Sequence, residues 1–276
     1  MRLAIAGEMT YNGIKKYNTG ERDLAKIIAV TNQKGGVGKT TTAVNLSALM
    51  AETGKRVLLV DIDPQGNATS GLGKSDTDSN TVYEVLLGEA PAKDAIVDTG
   101  FGTLSLMPTA IALAGAEIEL VGVENRENLL KNALASIRDE YDYIFIDCPP
   151  SLSILTLNAL TAADSVLIPI QCEYYALEGV GQLVNTIKLI RMKLNPELKV
   201  EGILLTMYDA RTNLCAQVAQ EVRSHFKEEA FDTVIPRNVR LSEAPSFGEP
   251  IHVYDGRCAG TAAYRELAAE LIEPNK

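Results

Sequence analysis

What the sequence lacks narrows its class first. No apolar run approaches the ~18 residues that a helix needs to span a bilayer. The stretch at residues 2–7 is too short for a signal peptide, and Glu8 follows it directly. No C-x-x-C pair is present: Cys148, Cys172, Cys215 and Cys258 stand at least 24 residues apart. That spacing argues against a small disulfide scaffold and a local zinc knuckle, and for reduced thiols in a cytoplasmic protein. Positive charge is not in excess either. With 26 Lys/Arg against 36 Asp/Glu, the net charge is −10, so any contact with nucleic acid has to be local. Internal repeats and low-complexity tracts are also absent.

What is present fits a globular chain. The 276 residues are 46% hydrophobic and 22% charged, enough for one large or two small domains. Short, nearly continuous apolar runs at residues 27–31, 56–61, 104–107, 143–147, 165–170, 202–207 and 233–235 read as strands buried on both faces. Between them, residues 40–52, 127–140, 177–193, 213–226 and 260–272 carry apolar side chains at three- and four-residue spacing, as amphipathic helices do. This alternation predicts an α/β fold: one doubly wound, mostly parallel sheet of about seven to eight strands with helices on both faces. Residues 75–80 read as an exposed polar loop. Residues 1–26 read as a flexible leader or an upstream start with Met9 as the true start, against a short helix or added edge strand. Residues 27–276 form the expected folded domain.

The chemistry begins after the first expected strand, in Gln33-Lys34-Gly35-Gly36-Val37-Gly38-Lys39-Thr40-Thr41. Three glycines let a backbone curl with its N–H groups around an anion, and the helix that follows offers its positive end to the same anion. Lys39 is placed to reach β- and γ-phosphates, and the Thr40 hydroxyl to coordinate Mg²⁺. The blander reading, a glycine-rich turn that binds nothing, leaves Lys39 and Thr40 in register unexplained. The simple phosphate-loop pattern asks for glycine where Gln33 stands. The extra lysine, Lys34, is either a solvated charge or a group that reaches a nucleotide held by another copy.

Two acidic segments complete the pattern. Asp63 closes the second strand segment, where a carboxylate can orient an attacking water, and Asp61 is set either near Mg²⁺ or to cap the next turn. Asp147 follows Tyr-Ile-Phe-Ile, and a charge buried at a strand end calls for a compensating cation, here Mg²⁺ reached through a water.

Lys-Gly-Gly-Val-Gly-Lys-Thr-Thr resembles the deviant Walker A loop of ParA/MinD-type P-loop ATPases. The likeness continues at residues 61–69, 147–152, 171–179 and 235–246, and the set looks like the chromosomal ParA (Soj) branch over roughly residues 26–272. The resemblance implies an Mg²⁺-dependent ATPase with Asp63 as hydrolytic aspartate and Lys34 reaching across an ATP sandwich homodimer. It implies nucleotide contacts from Lys34 to Thr41 and adenine contacts from Pro236 and Asn238. Arg211 and Arg240 match positions used for non-specific double-stranded DNA, and a ParB-like protein is the expected stimulating partner. Arg223, Lys227 and Arg237 add to a possible patch by composition alone. The protein is then nucleoid-associated. Residues 180–257 hold ten Lys/Arg and ten Asp/Glu, so the surplus acid lies elsewhere.

Rival readings remain. A MinD-like membrane-bound regulator needs a basic amphipathic C-terminus, whereas this chain ends Glu266–Lys276 with acid and Pro274. A cluster carrier like the nitrogenase iron protein needs paired loop cysteines, and only Cys148 tempts that reading. Relatives that position plasmids, carboxysomes or chemotaxis clusters use the same engine.

Overall fold

The computed structural model describes residues 24–75, 78–173 and 176–273. Of the expected leader, residues 1–23 lie outside the described residues, as do 76–77 of the polar loop, Tyr174 and Tyr175 of one motif, and 274–276 of the tail.

Eight strands form one sheet: β1 (Lys26–Val30), β2 (Val57–Asp61), β3 (Val97–Asp98), β4 (Leu104–Met107), β5 (Tyr143–Asp147), β6 (Ser165–Gln171), β7 (Lys199–Tyr208) and β8 (Ala230–Pro236). Their order is β3-β4-β2-β5-β1-β6-β7-β8, and every pair is parallel except β3 with β4. The helices are α1 (Lys39–Glu52), α2 (Asn67–Gly71), α3 (Val82–Leu87), α4 (Leu113–Glu119), α5 (Leu129–Ala135), α6 (Ile154–Ala162), α7 (Ala176–Lys193), α8 (Asn213–His225), α9 (Arg240–Glu243), α10 (Ile251–Tyr254) and α11 (Ala259–Ile272). The doubly wound sheet expected from the sequence is the one observed.

Strand periodicity divides the core in two, because successive side chains of a strand point to opposite faces. Ile27, Ala29, Leu58, Val60, Ile144 and Ile146 pack on one face with residues of α3, α5, α6 and α8. Ile28, Val30, Leu59 and Phe145 face the other way, against Leu46, Leu49 and Met50 of α1 and Tyr264 and Leu267 of α11. Helix α1 is thus covered on nearly all sides, and its buried Thr42, Asn45 and Ser47 find hydrogen-bond partners there.

The expected helix over 127–140 is shorter. It keeps α5 alone, with 3₁₀ turns at Arg126–Asn128 and Arg138–Glu140. Asn158 of α6 supplies the reason at its start: the side-chain amide donates to the Arg126 carbonyl (2.8 Å) and accepts from the Leu130 N–H (3.1 Å).

Both sheet edges are closed. β3 has two residues. On β8, the N–H groups of Asp232 and Thr233 donate to the Glu270 carboxylate of α11, at 2.8 and 3.1 Å.

Candidate nucleotide site

β1 lies at the centre of the sheet, and its carboxyl end opens into the phosphate loop, at the crevice where doubly wound sheets bind ligands. Asn32 shapes the start of that loop: its side chain accepts from the Lys34 N–H (3.0 Å) and donates to the Pro169 carbonyl (2.8 Å). Gly36 (φ +74°) and Gly38 (φ +86°) take left-handed backbone that only glycine adopts without strain. Gln33, standing where a glycine was expected, donates from Nε2 to Thr186 Oγ1 of α7 (3.1 Å). Thr206 of β7 donates to the Val37 carbonyl (2.8 Å). These bonds fix the shape of the loop.

Lys39 is buried, and its ammonium donates to the Lys34 carbonyl (3.2 Å). Burial pulls its pKa down, against the charges of Asp147, Cys148 and Asp63. The second and fifth strands meet the same crevice. Asp61 and Asp147 are register neighbours at the ends of β2 and β5, and both are fully buried. Asp61 is satisfied, accepting from the Thr69 N–H (2.8 Å), the Thr69 hydroxyl (2.7 Å) and the Asp63 N–H (3.1 Å). That is the turn-clamping role, and it leaves this carboxylate little capacity for a metal.

Asp147 is the opposite case. Neither of its carboxylate oxygens has a hydrogen-bond partner of good geometry among the described residues. Burial, helped by the charge of Asp61, holds its pKa well above the usual carboxylate range, with the Thr40 hydroxyl and Lys39 pulling weakly the other way. Asp63, nearly buried, accepts from the Gln65 N–H (3.0 Å).

A cavity of about 390 Å³ joins these groups, lined by Gly35, Gly36, Gly38, Lys39, Thr40, Thr41 and Asp63, with Gln65, Asn67, Pro150 and Met207. A second, of about 270 Å³, shares Gly38, Thr41 and Met207 with it and adds Thr206, Pro236, Arg237, Asn238 and Tyr264. Pro236 and Asn238, read from the sequence as base contacts, line this second cavity. The Asn238 Oδ1 is taken by the Arg240 N–H (2.9 Å). Sequence reasoning missed Thr206, Met207 and Tyr264, which come from β7 and α11 and carry no motif. Met207, at the border of the two cavities, has a positive φ of +52°.

A family model described as "AAA domain" matches residues 25–200. The chain is 60% identical over 249 residues to the sporulation initiation inhibitor protein Soj of Bacillus subtilis, covering 90% of this chain and 98% of that one. It belongs to the ParA/Soj family of chromosome-partitioning ATPases. The chromosome partitioning protein ParA of Myxococcus xanthus is 56% identical over 265 residues, covering 95% of this chain and 94% of that one. Among solved structures, cobyrinic acid a,c-diamide synthase from Mycobacterium smegmatis with bound ADP and magnesium matches at a TM-score of 0.79. It is 42% identical, covering 90% of this chain and 94% of that one. That name describes a different activity from the two relatives of higher identity.

In this ParA/Soj chain the two lysines of the loop part company. Lys39 lines the phosphate cavity, while the Lys34 ammonium pairs with Glu173 at 2.8 Å, both side chains partly exposed. Arg211 is 87% exposed and forks onto Asp209 (2.9 and 2.7 Å). Arg240 pairs with Glu243 (2.8 Å) and lies 3.6 Å from Asp255. Arg237, counted by composition toward a surface patch, is exposed and also lines the second cavity. No group of three or more His, Cys, Asp or Glu side chains among the described residues is arranged to hold an ion.

Proposed function

We propose that the chain is a Mg²⁺-dependent ATPase whose ATP-bound homodimer binds DNA without sequence preference during chromosome partitioning, and is released when a ParB-like partner stimulates hydrolysis. The observation that carries this reading is the division of labour on one loop: Lys39 is buried in the phosphate cavity, and Lys34 is turned out of it. One lysine serves the chain's own nucleotide. The other can serve a nucleotide across a two-fold interface, where a charge supplied in trans stabilises the transition state.

The residues present fit magnesium. A fully buried carboxylate whose oxygens have only the Thr40 hydroxyl beside them is costly unless a cation stands near it, and Asp147 is that group. The M. smegmatis relative is solved with ADP and magnesium, which supports the same ion here. Thr40 and, through a water, Asp147 would hold it. When bound it neutralises charge on the phosphates. The loop N–H groups and Lys39 bind and orient the phosphates, while Pro236 and Asn238 hold the base. Asp63 orients a water for attack on the terminal phosphorus; the bond to the bridging oxygen breaks, and ADP and phosphate leave. Arg211 and Arg240 exchange their carboxylate partners for DNA phosphates.

Three substitutions test this together. Lys39→Ala should lose nucleotide. Lys34→Ala should keep nucleotide and lose ATP-dependent dimerisation in light scattering. Asp63→Ala should bind ATP and dimerise without turnover. A Lys34→Ala chain that dimerises as the wild type does would refute the trans role.

A further inference from the structure

The net charge of −10 is unevenly spread: residues 81–124 hold seven Asp/Glu and one Lys, while residues 180–257 are neutral. The acidic segment also carries the largest run of exposed apolar side chains among the described residues. Ile111 is 87% exposed, Ile118 78%, Val121 67% and Val123 40%. Helix α4 explains the arrangement. It buries Leu113 and Ala116, as the 3₁₀ turn after it buries Leu120, whereas Ile118 is exposed on the helix, and Ile111 just before it and Val121 just after it extend the exposed apolar stripe. Val123 leads from that stripe into a largely apolar cavity of about 350 Å³, lined also by Val85, Leu86, Leu120, Leu129 and Ala133. Glu117, Glu119 and Glu124 are exposed along the stripe, and Glu119 accepts from the Tyr83 hydroxyl of α3 (3.0 Å).

An apolar patch with a charged rim is the signature of a docking site. We propose that the α4 face binds an amphipathic helical segment of a partner protein, apolar on one side and rich in Lys/Arg on the other. Charge selects that occupant. Duplex DNA is repelled by the acidic rim, and so is a second copy of the same face, whereas a basic segment lays its apolar side on Ile118 and Val121 and its cations on the glutamates.

The position of the face ties it to hydrolysis. Helix α4 follows β4 through Thr109, whose N–H donates to the Thr69 hydroxyl (3.1 Å); that hydroxyl donates to Asp61 (2.7 Å), and Asp61 holds the Asp63 N–H (3.1 Å). Three hydrogen bonds thus separate the docking segment from the proposed hydrolytic aspartate. The coupling rests on the proposed reading of the chain as a partner-stimulated ATPase; the docking does not.

The test uses the full chain with ATP and Mg²⁺, and a labelled synthetic peptide of about twenty residues with Leu on one helical face and Lys/Arg on the other. A peptide with Glu in place of Lys/Arg is the control. Fluorescence anisotropy should show binding of the basic peptide alone, weakened at least tenfold by Ile118→Ser with Val121→Ser, and likewise by Glu117→Lys with Glu124→Lys. Hydrogen exchange should slow at residues 111–124, while basal turnover of both variants stays at the wild-type level. Equal binding to wild type and both variants, or no preference for the basic peptide, overturns the proposal. So does protection of residues 111–124 by ATP alone, which assigns the face to a second copy, or by duplex DNA. Peptide bound at this face that raises turnover supports both docking and coupling. Bound peptide with turnover unchanged keeps the docking and refutes the coupling.

Discussion

The Lys34–Glu173 pair makes dimerisation a competition that can be measured. If Lys34 must reach the nucleotide of another copy, each protomer first breaks its 2.8 Å pair with Glu173. The side chains are 39% and 45% exposed, so solvent screens the pair and its worth is that of a surface ion pair, about 0.2–1 kcal/mol. Two pairs break per dimer, roughly 0.4–2 kcal/mol in all. At 1.4 kcal/mol per factor of ten, Glu173→Gln should tighten the ATP-dependent dimer by roughly 2- to 30-fold. Sedimentation equilibrium in ATP, in an Asp63→Ala background that stops turnover, gives the dissociation constant directly. The gain should shrink near 1 M salt, where the screening length is about 3 Å. A Glu173→Gln dimer that is no tighter at low salt would refute the competition.

Asp147→Asn should stabilise the nucleotide-free chain. Folding raises the Asp147 pKa, so the native state is favoured while the carboxyl is protonated and loses stability as pH rises above the ordinary value of about 3.9. The amide carries no charge to bury, so Tm near pH 8 should rise and the gain should vanish toward pH 4; a lower Tm at pH 8 in thermal denaturation followed by circular dichroism contradicts this. For Arg211→Glu and Arg240→Glu, the slope of log affinity for duplex DNA against log salt should fall by about one unit for each DNA phosphate no longer neutralised, read by anisotropy with ATP. An unchanged slope assigns that arginine to its carboxylate alone.

The phosphate loop was legible because its chemistry is local: glycines, lysine and threonine act within nine residues. The strands were legible for a related reason, since a strand buried on both faces has to be apolar along its length, as β1, β2 and β5 are. Less visible were α3 and α6, each nine residues or fewer and packed by context more than by periodicity. The capping box of α3, in which Thr81 and Glu84 bond reciprocally, was the signal available for it. The second cavity was unreadable beyond Pro236 and Asn238. Thr206, Met207 and Tyr264 reach it from β7 and α11, and only the sheet order brings those elements to β1. Nor could spacing show that Lys34 meets Glu173, which stands 139 residues away.

The closed sheet edges bear on how the chain tolerates company. Binding DNA without sequence preference, as proposed, lets many copies stand along one molecule, where an open strand would recruit its neighbour's backbone. Here one edge is a strand of two residues, and the other has its Asp232 and Thr233 N–H groups taken by Glu270. The proposed contact through a nucleotide uses another face, while edge-to-edge growth meets a short strand on one side and two occupied N–H groups on the other. Glu270 belongs to the acidic end of the chain that first looked like a mere surplus of charge, and its carboxylate occupies two donors that a neighbouring strand would otherwise use.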